Sequence, residues 1–384
     1  MDKQAQYLFS EYISGDSIIQ LRNGKLIFHY FNKYDYYINI YDEKTFHQLF
    51  EISLDEIILK YKQEIEKNKG NLKNEGDNEK EEIKDKNNNV KKSSIKELKN
   101  GKILIGDGKY LFELNIYKKS YSCNIVKKMD YNILDINEIS DKGIVIITNK
   151  KIFVLKKENL DYIIKDEYPI KDNWKIIPKS STHRYYGGFK QYFSSYVLPN
   201  DKLLLNSFST ELSYPGWCGT HPPTEISNSK IIFIDLKNFE EITSTETFEI
   251  DAKYIIFENI ILIQAKKKVI IYDINSLNII NNITLKKYYG YMYKYDEQYI
   301  FALSKYEEEN TLTIYKIENN DLIEYGKIKA NLFFDKLYGK NGYEITIYNN
   351  KFLLTLKNKR VLITCHDKIY LLNLDISYSS SELY

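Results

Sequence analysis

Cysteine is scarce in this chain: Cys123, Cys218 and Cys365 are the only three in 384 residues, far apart and odd in number. That excludes a disulfide framework and fits a reducing compartment. Arginine is scarcer still for so charged a sequence, since of 55 basic residues only Arg22, Arg184 and Arg360 are arginine. Charge of one sign is not in excess. The net charge is +2 with acids and bases interspersed, which leaves no electrostatic footprint for nucleic acid or an anionic membrane. No uninterrupted apolar run reaches the length of about 18 residues that a spanning helix needs. The first residues, Met1-Asp-Lys-Gln-Ala-Gln-Tyr7, hold no apolar stretch of signal-peptide length. A Gly-rich nucleotide loop, a metalloprotease motif and repeated Asp boxes are all missing. The expectation is a protein of the cytoplasm or nucleus, with no cofactor, no nucleic acid and no membrane among its partners.

What is abundant is strand chemistry. Tyrosine reaches 36 residues, and isoleucine, lysine and asparagine are heavily used, a bias that an AT-rich genome produces by drift. Single surface lysines or asparagines therefore carry little information. Order does. The segment Ile18-Ile-Gln-Leu-Arg-Asn-Gly-Lys-Leu-Ile-Phe28 returns as Ile95-Lys-Glu-Leu-Lys-Asn-Gly-Lys-Ile-Leu-Ile105. Fainter copies run over 136–146 and 196–205. In each copy a turn, Asn-Gly or an equivalent, separates two apolar runs, as in a hairpin.

A third run follows and ends in an aromatic or apolar residue plus a polar one: Ile38-Asn-Ile-Tyr-Asp42, Ile231-Ile-Phe-Ile-Asp235, Val269-Ile-Ile-Tyr-Asp273, Leu312-Thr-Ile-Tyr-Lys316. A fourth run comes after a further turn, over 46–52 and 277–283. Four short strands repeated along a chain describe propeller blades. The Tyr41-Asp42 and Tyr272-Asp273 endings resemble the Trp-Asp dipeptide of WD40 repeats, and most of the chain is similar to that family in strand order. Trp-Asp itself and the early Gly-His pair are missing, so the His/Asp network of such blades is not carried over.

Blade spacing follows from the apolar residue before each first turn: Leu21, Leu98, Ile139, Leu198, Ile256, Tyr293 and Ile347. Two intervals, 41 and 37 residues, match an unexpanded blade of roughly 40–45 residues, and the rest are expanded. The expected fold is all-β, a single β-propeller over 1–384 of about seven four-stranded blades. The strand-like 6–13 would join the C-terminal strands in one blade and leave no open edge. Residues 61–94, with nine lysines facing eight acids, cannot bury enough apolar surface to offset ordering and are expected as a disordered charged loop, with some helix over 57–69. Residues 377–384 are expected as a flexible tail.

One region departs from the drifted background. All six prolines, both tryptophans, His183, Arg184, Gly187-Gly188, Cys218 and His221 fall between 169 and 223. They lie in two pieces, 172–189 before the fourth blade's first strand and 211–224 between that blade's second and third strands. In WD40-like propellers loops at those two positions open on one face. The resemblance thus implies a shared partner surface, with Trp174, His183, Arg184, Tyr214, Trp217 and His221 as contacts for a protein or peptide. Trp, Tyr and Arg are the types that most often dominate binding energy, though the same aromatic residues could also form the loops' own small core. The expectation is a non-catalytic interaction scaffold. The alternative is a metal-dependent or hydrolytic enzyme centred on Cys218, His221 and His183; a zinc site needs four ligands or three and water, and no second Cys/His pair accompanies them.

Overall fold

The Asn-Gly pairs of the repeat make one turn twice, with the same bonds. Leu21 N–H donates to Lys25 O at 2.8 Å and Gly24 N–H to Leu21 O at 3.0 Å; Leu98 and Gly101 repeat this with Lys102 and Leu98 at 2.7 and 2.9 Å. Gly24 and Gly101 take φ of 82° and 83°, the left-handed region that glycine enters without steric cost. Asn23 and Asn100 accept from Lys25 and Lys102 N–H through their side-chain oxygens at 3.1 and 3.0 Å.

These turns start a four-stranded unit that recurs. The computed structural model describes residues 6–7, 15–32, 35–69, 94–139, 143–159, 161–176, 189–213, 224–248, 252–286, 289–304, 311–329, 353–355, 360–365 and 368–373. Six antiparallel sheets follow one another in chain order. Sheet 1 holds Gly15–Gln20, Lys25–Asn32, Asp35–Asp42 and Gln48–Ser53. Sheet 2 holds Ser94–Glu97, Ile103–Asp107, Tyr110–Ile116 and Tyr121–Lys128. Sheet 3 holds Ile133–Ile139, Gly143–Thr148, Lys151–Glu158 and Asp161–Pro169. Sheet 4 holds Phe189–Leu198, Lys202–Ser213, Thr224–Asp235 and Glu240–Ser244. Sheet 5 holds Lys253–Ile256, Ile260–Ala265, Lys268–Asp273 and Ile279–Thr284. Sheet 6 holds Tyr289–Lys294, Tyr299–Ser304, Thr311–Glu318 and Asp321–Lys329. Beyond them Leu353–Thr355, Arg360–Cys365 and Lys368–Asn373 are antiparallel neighbours. The expected markers Leu21, Leu98, Ile139, Leu198, Ile256 and Tyr293 each fall at or beside the end of a first strand; Ile347 lies outside the described residues.

The aspartate that closes the third strand does local work. Asp42 Oδ1 accepts Lys44 N–H, Thr45 N–H and the Thr45 hydroxyl at 2.9–3.0 Å. Asp273 Oδ1 accepts Asn275 and Ser276 N–H at 3.0 and 2.7 Å, and Asp235 accepts Lys237 N–H at 2.8 Å. The turn is completed by Phe46, Phe239 and Leu277, at φ of 54°, 57° and 60°, whose N–H groups donate to those aspartates' carbonyls. The expected fourth runs at 46 and 277 therefore begin two residues later, at Gln48 and Ile279, because their first apolar residue belongs to the turn. In all six sheets one register shift interrupts the pairing of third and fourth strands, a bulge that adds twist at the sheet's edge.

The chain divides into two compact units, Tyr12–Ile170, and Met1–Glu11 with Lys171–Tyr384. In the first unit, Ile27, Ile38, Ile40 and Ile52 of sheet 1 form one core with Ile103, Ile105 and Phe112 of sheet 2. Leu104 and Leu111 of sheet 2 join Ile136, Ile146 and Phe153 of sheet 3. In the second unit, Leu204, Ile231 and Phe233 of sheet 4 meet Ile261, Ile263 and Tyr272 of sheet 5, and Leu262 and Ile271 meet Ile300 and Tyr315 of sheet 6. Middle strands are thus buried on both faces, while exposed apolar side chains such as Leu49, Ile163, Ile242, Ile279 and Ile323 gather on fourth strands.

The segment 61–94 needs correction at its start. A helix runs over Leu54–Lys69, so its charged residues up to 69 are helical, and 70–93 lie outside the described residues. The helix begins on Ser53, whose hydroxyl accepts Glu56 N–H at 3.2 Å, and carries Asp55 and Glu56 in its first turn. Leu54 is buried, Ile57, Ile58 and Tyr61 pack on the core of sheets 1 and 2, and Tyr61 meets Tyr110 edge to face at 6.2 Å. The anchors Leu54, Ile57 and Ile58 lie before the charged stretch and Tyr61 at its first residue, so the helix expected over 57–69 is held from its N-terminal half.

Gly106 lies at a close approach of sheets 2 and 3. A Cβ there would sit 2.4 Å from Ile133 Cγ2 and 3.2 Å from Ile136 Cδ1. Gly106→Ala should cost about 1–3 kcal/mol by overpacking, read from the denaturant midpoint. Adding Ile133→Ala removes the clashing methyl, so the double variant should cost less than the sum of the singles; strict additivity would contradict the close approach.

Candidate functional site

Sheet 4 is built differently from the others. Its second and third strands are both twelve residues long, against five to eight in the other five sheets. Phe189, the first residue after 177–188, pairs with Glu211, and Ser213, the last before 214–223, pairs with Thr224. Phe189, Ser213 and Thr224 therefore lie at one end of one sheet, whereas Asn173 and Trp174 bond to Glu241 toward its other end. The sequence indicated the first arrangement through its loop positions; the added strand length it did not show.

Below that end the sheet is polar inside. Ser207, Ser209, Asn206, Asn228, Ser229 and Thr245 are all buried. Gln191 donates to the Ser207 hydroxyl at 2.9 Å, Asn206 donates to Ala252 O at 3.2 Å, and Ala252 N–H donates to the Ser229 hydroxyl at 2.7 Å. Tyr192 and Phe208 stack beside them with ring centroids 6.1 Å apart. Asparagine is common throughout this chain, but nine of its 25 serines fall between 180 and 229, a clustering that could have marked the column.

Among the six expected contact residues, Trp174 is described; His183, Arg184, Tyr214, Trp217 and His221 lie outside the described residues, as does Cys218. Trp174 closes a single 3-10 turn, Asp172–Trp174, and its ring is fully buried, at 0% exposure. Its indole N–H donates to Glu241 Oε2 at 3.0 Å, and Asn173 Nδ2 donates to the same oxygen at 3.1 Å. Lys171 pairs with Glu240 at 2.9 Å and lies 5.3 Å over the Trp174 ring. Lys230 Nζ donates to Asn173 O at 3.1 Å. With no exposed surface of its own, Trp174 is packed against the fourth strand, where Glu241 pairs with Ile234, toward the opposite end of the sheet from Thr224.

The first unit holds a second group of charges. Glu113 of sheet 2 is buried and accepts Lys102 Nζ on one oxygen at 2.7 Å and Lys157 Nζ on the other at 2.6 Å; the Tyr162 hydroxyl donates to it at 3.1 Å. Lys157 lies 4.9 Å over the Tyr162 ring. Burial pushes the Glu113 carboxyl up, but hydrogen bonds from Lys102 and Lys157 outweigh it and hold the group at about 2. Burial, then the Glu113 charge, raise the Tyr162 phenol. The arrangement ties sheet 2 to sheet 3, where the resembled repeats use a His/Asp network. His29 of sheet 1, stacked on Tyr36 at 5.4 Å, is buried and held at about 4 by desolvation. Cys123 packs into the core, and burial pushes its thiol up to about 12, which makes it a poor nucleophile. Among the described residues no group of three or more His, Cys, Asp or Glu could hold a metal ion, and no helix is long and apolar enough to cross a membrane.

With the geometry in hand, the chain can be compared with known proteins. No protein-family model and no curated protein sequence matches it. Solved structures do match in fold. A chain of the Mitotic Checkpoint Complex superposes with a TM-score of 0.54 at 6% identity, covering 97% of this chain and 93% of that one. The Cps50 (Swd1) β-propeller domain of Myceliophteria thermophila gives 0.53 at 9%, covering 97% and 100%. The extracellular domain of the hybrid two-component system BT4673 from B. thetaiotaomicron gives 0.54 at 12%, with this chain spanning 99% of its own length and 44% of that chain. The fold is an all-β propeller, and the six sheets are its blades; identities this low establish architecture alone.

Two buried titratable groups of the first unit, His29 and Glu113, contribute to its acid response. His29 stays neutral in the fold while the unfolded chain takes up its proton from pH 6.5 downward, so its contribution is complete above 6.5 and is lost as pH falls toward about 4. Glu113 contributes fully above 4.5 and loses that contribution as pH falls through about 2. Thermal midpoints measured against pH should decline in two stages, with His29→Phe flattening the upper stage and Glu113→Gln the lower. Unchanged slopes in both variants would contradict these assignments.

Proposed function

We propose that this propeller is a non-catalytic interaction scaffold that binds a protein or peptide at the extended end of sheet 4, which 172–189 enters at Phe189 and which carries 211–224. The observation that carries the reading is the extension of sheet 4: three long strands and a polar interior, with Phe189, Ser213 and Thr224 together at the extended end. Insertions gathered on one face of a repeat fold commonly form its binding face. His183, Arg184, Tyr214, Trp217 and His221 are the proposed contacts; Trp174, fully buried, is not one of them. Rigid strands under the contacts lower the ordering cost of binding. That a structure of similar fold is a chain of a named complex supports a protein partner.

The same proposal includes a seventh blade closed by the N-terminal strand. The pairings of Gln6 with Leu371 and Tyr7 with Tyr370, beside three antiparallel C-terminal strands, support it.

Affinity purification from the source cell, followed by mass spectrometry, should recover partners with wild type that are lost with Trp217→Ala/Arg184→Ala, while the melting temperature moves by a few degrees at most. Equal recovery by both would remove this surface from the account. Stoichiometric zinc in the purified protein, lost in Cys218→Ser, would assign the segment to a metal site instead.

A further inference from the structure

In most of these sheets the fourth strand satisfies the outward main chain of the third. It pairs along the whole third strand in sheets 2, 3 and 6, and along 268–272 in sheet 5. In sheet 1 the third strand overhangs by Asp35 and Tyr36, and Asp55 of the helix accepts the Tyr36 N–H at 2.9 Å. Sheet 4 differs. Its fourth strand pairs with 232–235 alone, and the chain that follows bonds Ile231 through Thr245 and Ser229 through Phe248. The chain then leaves the edge. Ala252 N–H donates to the Ser229 hydroxyl at 2.7 Å and Ala252 O accepts from Asn206 at 3.2 Å, on the face that packs against sheet 5. Residues 224–228 of the third strand therefore have no outer neighbour among the described residues. The phase of that edge is fixed. Ser229 exchanges both main-chain bonds with Phe248, at 3.0 and 2.8 Å, so its N–H and C=O point outward. Successive residues alternate, so Ser227 and Glu225 also point outward, while Asn228 and Ile226 turn toward Ser209 and Glu211 of the second strand.

We propose that the outer edge of 224–228 takes up a short extended segment of a protein partner as an added antiparallel strand, bonded through the main chain of Glu225 and Ser227. This rests on the scaffold reading for the use of the extended end, and it names what that end binds. The edge carries none of the devices that blunt an open strand. Thr224-Glu-Ile-Ser-Asn228 contains no lysine or proline. The second and third strands pair through all twelve residues without a register shift, whereas every pairing of third and fourth strands is bulged. Five residues of strand give a slot about 16 Å long, and Phe248 closes one end of it. That length suits a linear segment of about five residues and is too short for the twelve-residue strand of a second copy.

The probe is a displayed library of linear peptides, selected on the full-length protein. Selected peptides should bind Ser227→Pro about tenfold more weakly, since proline removes an outward N–H and leaves the bonds to the second strand in place, and should bind Ser227→Ala within about twofold of wild type. Melting temperatures are read in parallel, and Glu225→Pro takes the place of Ser227→Pro if that variant has lost its fold. Methylating the peptide's main-chain nitrogens one at a time should weaken binding at every second position, the period of a paired strand. In the free protein the Glu225 and Ser227 amides should exchange with deuterium about tenfold faster than those of Ile226 and Asn228, and the peptide should slow them. Slow exchange of both in the free protein, undiminished binding to the proline variant, methylation without alternation, or a selection that yields no binder each overturns the proposal. A dimer that Ser227→Pro converts to monomer assigns the edge to a second copy and overturns it as well. If the cell's partner is lost in Trp217→Ala/Arg184→Ala yet kept by Ser227→Pro, the scaffold reading stands and strand addition falls, so the two can fail separately.

Discussion

A sheet whose middle strands are apolar on both faces cannot stand alone in water. Ile103–Asp107 is buried at every position, and Leu26, Ile27 and Phe28 are buried in succession. Such a strand needs a neighbour on each side, and each core identified within a unit is made by two consecutive sheets. Stability in such a fold is chiefly a matter of nearest-neighbour interfaces. Each interface is then pinned by a few polar contacts. Glu97 accepts the Arg22 N–H at 2.8 Å and Glu138 the Lys99 N–H at 2.7 Å, the same bond from one repeat to the next. Glu297 does comparable work for Glu258 at 3.0 Å. The Glu113 group adds a buried tie between sheets 2 and 3.

This constraint explains which parts of the fold were legible in the sequence. A hairpin needs a left-handed residue, and Asn-Gly at 23–24 and 100–101 supplies it visibly. The aspartates at 42, 235 and 273 were also visible, although their resemblance to a Trp-Asp ending concealed their actual role in holding the next turn. Phe46 and Leu277 were read as strand because they are apolar; only their positive φ places them in the turn. The helix past residue 61 was underestimated because lysine and glutamate dominate it, while its stability comes from Leu54, Ile57, Ile58 and Tyr61 packed on the sheets.

The candidate site was legible as composition and not as architecture. Proline, tryptophan and arginine stand out against a drifted background, so 172–189 and 211–224 announced themselves. The strand extension and the buried polar column did not, although nine of the 25 serines fall between 180 and 229 and mark the column's place. Glu241 has no distinguishing context in sequence, yet it receives both Asn173 and Trp174. A tryptophan singled out for binding turns out to be buried on the fold's own outer strand.

A repeating frame carries one blade with lengthened strands, the blade proposed for partner contact. On that proposal the extended end of sheet 4 is dispensable for the frame and required for binding. The most direct measurement shortens that end, replacing 209–228 by a two-residue Asn-Gly turn that returns the hairpin to the length of its neighbours. The shortened protein should melt within a few degrees of wild type and should lose the partner that wild type captures. Retention of that partner at wild-type affinity would contradict the claim.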